Sequence, residues 1–227
     1  MAKVKFSALI SDMRGKLNGS VFAQNRGGSY LRTKVTPSNP NTASQAAARS
    51  VLTTFAQAWR SLTESQRKAW NAAVTNWART NIFGDIKNPT GLQLYIRLNV
   101  NISNASGTAL VLPPLAAGVD PITAVALAAD GTLGTFVVTA SPDPVPADHA
   151  LVVEATSAQS AGVSNANSQF RVIDVVPAGA IPADFVTEYV AKFGTLVTGQ
   201  KYFVRVKMIR VSTGEVSGKQ IASSIAV

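Results

Sequence analysis

Three predicted helices in the first half of the chain are each announced by T-x-x-Q: Thr42-Ala43-Ser44-Gln45, Thr63-Glu64-Ser65-Gln66 and Thr90-Gly91-Leu92-Gln93. That spacing is the capping box. The threonine hydroxyl accepts from the amide three residues on, and the glutamine side chain returns to the threonine's own amide. Each box precedes a helical period. Val51, Phe55, Trp59 and Leu62 follow the first, Gln66, Trp70, Ala73/Val74 and Trp77 fall in the second, and Leu92, Tyr95, Leu98 and Ile102 in the third. Steps of three and four form a stripe on one helical face. A three-helix region over 38–112 is therefore predicted, its last helix finishing near Gly107. Leu62 alone separates the first stripe from Thr63, which predicts a tight corner; Asn81 to Pro89 is a longer connection.

On either side of this region the pattern changes. Residues 1–37 form a predicted β-arm, with a hairpin in 15–37. Its strands, 19–25 and 29–35, flank Arg26-Gly27-Gly28, where glycine tolerates positive φ. Pro37-Ser38-Asn39-Pro40 then breaks the chain. Residues 113–118, Pro-Pro-Leu-Ala-Ala-Gly, form a linker. Beyond it, over 119–227, the period shifts towards two, predicting strands near 122–128, 133–140, 149–156, 169–176, 184–193, 200–211 and 219–226. About seven short strands in roughly 110 residues is the count of an immunoglobulin-like sandwich. The expected class is α+β and multidomain: hairpin arm, three-helix unit, all-β sandwich.

Charge divides the chain at the same place. Residues 1–110 hold fourteen Lys/Arg against three acids, a net of +11, and residues 111–227 hold seven against nine, a net of −2. Only the front half is electropositive. There is no cysteine, hence no disulfide and no thiolate nucleophile. Asp12 and Arg14 interrupt the N-terminal apolar run too early for a signal-peptide core, and no window approaches the ~20 apolar residues that span a bilayer. Synthesis in the cytoplasm without membrane insertion is expected.

Candidate chemistry is sparse. His149 is the only histidine. A general base with Asp148 is conceivable, but neighbours on a strand face opposite ways, and an exposed or hydrogen-bonded histidine is expected. Asp143 and Asp148 are candidates for a calcium site, although turn chemistry explains Pro142-Asp143-Pro144 better. Gly15-Lys16-Leu17-Asn18-Gly19-Ser20 lacks the spacing of a phosphate loop. Trp59, Trp70 and Trp77, interleaved with Arg49, Arg60, Arg67, Lys68 and Arg79, suit a stacking platform for single strands, but their stripe favours a helical core. No catalytic residue, cofactor or metal is expected.

Two resemblances add to this reading. Leu196 to Val206, with a Gly199 turn and Tyr202, resembles the tyrosine corner and sixth strand of fibronectin type III domains, and Gly214-Glu215-Val216-Ser217 resembles their last hairpin. The early strands lack that family's tryptophan. Further upstream, the run Gly15-Lys16-Leu17-Asn18-Gly19-Ser20-Val21-Phe22, then Asn25-Arg26, Gly28, Tyr30, Arg32, Pro37, Asn39-Pro40, Thr42, Gln45, Arg49 and Phe55, is one part of the second match. Trp59, Leu62-Thr63, Gln66-Arg67, Ala69-Trp70 and Gly91-Leu92-Gln93-Leu94-Tyr95 continue it. These residues resemble a widespread group of proteins encoded by tailed bacteriophages and prophages.

That resemblance implies a virion structural protein: a capsid-associated, head-fibre or tail-associated subunit. Its partners would be other virion subunits and itself, with packaged DNA or a host surface as further candidates. Lys16, Phe22, Arg26, Tyr30, Arg32, Lys34, Arg49, Arg60 and Arg67 are the candidate assembly contacts. Thr42, Gln45, Trp59, Thr63, Gln66, Trp70, Trp77, Thr90, Gln93 and Tyr202 are the structural positions. A host-surface adhesin and a nucleic-acid-binding protein stand as alternatives.

Overall fold

A computed structural model describes residues 2–7, 9–36, 38–166 and 168–227. Pro37, part of the predicted chain break, lies outside the described residues. The N-terminal arm is more than one hairpin. It is a four-stranded antiparallel sheet of β1 (Ala2–Lys3), β2 (Gly15–Leu17), β3 (Ser20–Asn25) and β4 (Gly28–Thr33), in the order β1-β4-β3-β2. Arg26-Gly27 turns β3 into β4, with Asn25 opposite Gly28. The added hairpin comes from Asn18-Gly19, which joins β2 to β3 with Leu17 opposite Ser20. Asn18 takes a positive φ of 48°, a conformation asparagine accepts in tight hairpin turns.

All three capping boxes close. Helices α1 (Ala43–Ser61), α2 (Glu64–Ala73) and α3 (Gly91–Asn104) begin after Thr42, Thr63 and Thr90. Thr63 Oγ1 accepts from the Gln66 amide at 3.3 Å, and Gln66 Oε1 accepts from the Thr63 amide at 2.8 Å. Their shared core surrounds Tyr95, whose ring meets Trp70 edge-on at 5.3 Å, Trp59 at 5.4 Å and Phe55 at 6.4 Å. The stripe predicted for α3 needs one correction: Leu92 is exposed, and Leu94 takes the inward position beside Tyr95, Leu98 and Ile102. Between α2 and α3 run a 3-10 turn (Val74–Trp77) and a small hairpin of β5 (Arg79–Thr80) and β6 (Ile86–Lys87).

The C-terminal region holds β7 (Ala124–Asp130), β8 (Thr135–Ser141), β9 (His149–Ala155), β10 (Arg171–Val176), β11 (Lys201–Arg210) and β12 (Gln220–Ile225). They form a β7-β8 hairpin and a four-stranded antiparallel sheet in the order β10-β9-β11-β12. The two share one core, in which Phe136 and Val138 meet Leu151, Val153, Tyr202, Val204 and Val206. The strand predicted over 184–193 is instead α4 (Val186–Phe193). Phe185, Tyr189 and Phe193 recur every fourth residue, the spacing of a helical face, and this outweighs the strand preference of Val186, Thr187 and Val190. Tyr189 is buried, stacks on Phe136 at 4.5 Å and donates to the Thr156 carbonyl at 3.0 Å.

Every residue of β9 is buried because both faces of the sheet are covered there. One face joins the main core. On the other, Ala150, Val152 and Ile209 pack with Ala105 at the end of α3. Asn101 of α3 donates to the Gly214 carbonyl at 2.8 Å, and Gly214 has a φ of 75°. A Cβ at Gly214 would lie 2.5 Å from the Leu98 carbonyl oxygen, so only glycine allows this approach. The segment between α3 and β7 is strapped down at several points: Trp70 Nε1 donates to Val111, and Asn99 accepts from the Leu110 amide and donates to its carbonyl.

Candidate functional site

The arm is a sheet without a core. Among the residues of its four strands Val21 alone is buried. Residues directly opposite in register share a face, so the pairings sort the side chains. One face carries Lys3, Lys16, Arg32 and Tyr30 around Val21 and Ala23; the other carries Leu17, Phe22 and Leu31. Leu17 is 66% exposed, and Phe22, Tyr30 and Leu31 are half-buried. The sheet is thus basic on one side and apolar on the other.

Where the sheet meets the helical region there is a cleft of about 370 Å³. Lys3 of β1, Arg26 of the β3–β4 turn, Arg79 and Lys87 of the β5–β6 hairpin, and Arg97 of α3 converge on it. Arg79 and Lys87 are register partners across two short strands. Arg97 lies over the Trp77 ring, 5.5 Å from its centroid. Burial, and then the neighbouring Arg79 guanidinium, push Arg97 below the ordinary arginine range. Lys3 Nζ donates to the Gly27 carbonyl at 2.7 Å, fixing the hairpin tip. Among the described residues, none of the five cations forms an ion pair with a carboxylate. One acid lies close by: Asp85 bonds Asn81 and Lys5, and these contacts, together with Lys87, hold its carboxyl below the usual range.

Of the predicted contacts, only Arg26 lines this cleft. Lys16, Arg32 and Lys34 are exposed on the arm, and Arg60 is exposed on α1. Arg67, half-buried, lies on α2. Arg49 is engaged locally, donating to Asn41 at 3.1 Å and Asn39 at 2.8 Å, and so ties the entering loop to α1. The tryptophans offer no stacking platform: Trp70 is fully buried, Trp77 is 8% exposed, and Trp59 packs against their core. Sequence reasoning missed Lys3, Arg79, Lys87 and Arg97 as a group. Their one sequence signal was the net charge of the front half.

His149 and Asp148 do not meet as a base and its partner. Asp148 accepts from the Ser212 amide at 2.9 Å and from its hydroxyl. His149 is 3% exposed; its Nδ1 contacts the Ala147 carbonyl at 2.8 Å, and its Nε2 is buried with no hydrogen-bond partner. The expectation of an exposed or fully bonded ring therefore holds for one nitrogen only. Asp143 accepts from the Ile181 amide at 3.2 Å, apart from the Asp148 bonds. Among the described residues there is no group of three or more His, Asp or Glu able to hold a metal ion, and no helix is long and apolar enough to cross a membrane. Compared with known proteins, the chain matches no family model and no curated protein.

Proposed function

We propose that the chain is a structural subunit of a tailed-phage particle, anchored by residues 1–112, with the C-terminal sheets projecting as a fibronectin type III-like sandwich. The observation that carries this reading is the coreless N-terminal sheet. Four strands with one buried side chain gain too little burial to persist alone in water, and such sheets are stabilised by packing against another layer. The layer is a neighbouring subunit, meeting the apolar face at Leu17, Phe22 and Leu31 and the free edges of β1 and β2. Residues 15–115, which resemble tailed-phage proteins, contain most of this anchor.

The sandwich reading rests on the Tyr202 hydroxyl, which accepts from the Val197 amide at 2.8 Å and donates to its carbonyl at 3.3 Å. That is the bonding of a tyrosine corner. It rests also on the core shared by the two sheets. The test is quantitative mass spectrometry of purified particles of the phage or prophage that encodes the chain. A fixed copy number per particle is expected, together with loss of incorporation when residues 2–37 are deleted. Particles with no copies would overturn the reading, and normal incorporation of the deletion would remove the sheet from the anchor.

A further inference from the structure

We propose that the cleft between the β3–β4 turn and α3 receives the carboxylate side chains of an extended acidic segment of a neighbouring protein subunit. The inference rests on the particle-subunit reading for the setting of that partner, and it adds the partner's chemistry. Five cations drawn from four separate stretches of chain face one space and repel one another; none forms an ion pair among the described residues, and Asp85, whose charge reaches Lys87, is itself bonded to Lys5 and Asn81. An anion from outside relieves that repulsion, and three of the five are arginines, whose planar fork matches a carboxylate bidentately. Neutral donors stand among them. Asn25 Oδ1 already accepts from the Gly27 amide and Gln93 Oε1 from the Thr90 amide, so both side-chain NH2 groups remain as donors.

Shape and lining favour a polypeptide over nucleic acid. The space is a pocket of about 370 Å³, which suits a few side chains, whereas a duplex backbone spreads its charge along an extended convex surface. No aromatic ring lines it to stack a base, because Trp77 lies beneath Arg97. Lys3 sits on β1, the outer strand of the arm sheet. An extended segment added at that edge would turn alternate side chains to the face that Lys3 occupies, so acids at every second position would enter the cleft together.

The test measures fluorescence anisotropy of a labelled oligoglutamate peptide with the full-length chain, alongside a labelled DNA duplex and a labelled oligothymidylate. Arg79→Glu and Lys87→Glu probe the cleft. Arg60→Glu makes the same charge change on α1, outside it, and circular dichroism verifies that each variant folds. Oligoglutamate should bind, weakening by about tenfold or more in each cleft variant and by no more than about twofold in Arg60→Glu. Absence of peptide binding overturns the proposal. Equal weakening in all three variants also does, since it leaves only diffuse charge. DNA binding that is lost only in the cleft variants, with the peptide unbound, would assign the cleft to phosphate instead. These results are separate from the particle test: peptide binding can fail for a chain found in particles, and can succeed for one that is absent from them.

Discussion

Two four-stranded antiparallel sheets occur in this chain, and they stand at opposite extremes of burial. In the C-terminal sheet every residue of β9 is buried, with the β7-β8 hairpin and α4 over one face and the end of α3 against the other. In the N-terminal sheet Val21 is the single buried strand residue. Both are antiparallel ladders of four strands, so the kind of pairing alone does not account for the difference in burial. What differs is the second layer. The C-terminal sheet finds its layer within the chain; the N-terminal sheet exposes the faces on which such a layer would sit.

The sharpest way to break this comparison is one large truncation in each sheet system. Phe136 is fully buried against Tyr189 and Tyr202, so Phe136→Ala should cost about 3–5 kcal/mol, a transfer term plus a cavity. Leu17→Ala in the isolated chain should cost less than about 0.5 kcal/mol, as for a surface position, because Leu17 is 66% exposed. Urea unfolding followed by circular dichroism measures both. Similar losses would mean that the arm shares the cooperative core, and the contrast would fail.

The seam between α3 and the C-terminal sheet gives the next effect. Gly214→Ala meets both a φ of 75° and a carbonyl 2.5 Å from the new Cβ, and should cost about 2–3 kcal/mol. A stability within about 0.5 kcal/mol of wild type would show that the helical unit separates from the sheet at little expense, and that the two regions fold independently.

How far these features were legible in the sequence follows from how local they are. The capping boxes involve four consecutive residues each, and Thr42, Thr63 and Thr90 start helices where the spacing predicts. Six of the seven segments predicted as strands beyond residue 119 form strands. The segment 184–193 misled because its Val and Thr content favours strand, although Phe185, Tyr189 and Phe193 carried the helical spacing. Asn18-Gly19 is a hairpin signal in two residues, yet β2 is only three residues long and carries too little alternation to declare itself. The cleft was the least legible feature. Lys3, Arg26, Arg79, Lys87 and Arg97 come from separate stretches of chain, three of them on two-residue strands without any period. Only tertiary contacts bring them together.

Glu154 tests how completely the C-terminal sheet is sealed. Its carboxylate, 7% exposed, is bridged by Arg205 and by Lys207 at 2.7 Å, and Arg205 lies over the Phe170 ring. Burial alone would raise its pKa, but the hydrogen bonds and charges of Lys207 and then Arg205 outweigh that and hold it below the ordinary 4.5. A depressed carboxyl contributes stability that is present above its unfolded value and lost as pH falls through the folded one. Glu154→Gln should therefore cost about 2 kcal/mol at pH 7, less than a fully buried pair because both cations keep some contact with water. The gap from wild type should narrow as pH drops below 4.5. A gap unchanged down to pH 3 would show that the ion pair does not set this term.

The smallest effect contrasts two copies of one motif. Thr90 caps α3, whose Leu94, Tyr95, Leu98 and Ile102 are buried, so fraying its first turn disturbs the core. Thr42 caps α1, where residues 43–50 are all exposed. Both substitutions by alanine remove the same hydrogen bond, worth about 1 kcal/mol. Thr90→Ala should show that loss in the global urea midpoint. Thr42→Ala should leave the midpoint within about 0.3 kcal/mol and instead speed amide exchange over residues 43–50, because those turns can open without exposing apolar surface. Equal global losses would mean that the start of α1 is coupled to the core as tightly as α3. The helical region would then carry no partly independent end, and the division between self-packed and partner-dependent structure would have to be drawn at the sheet alone.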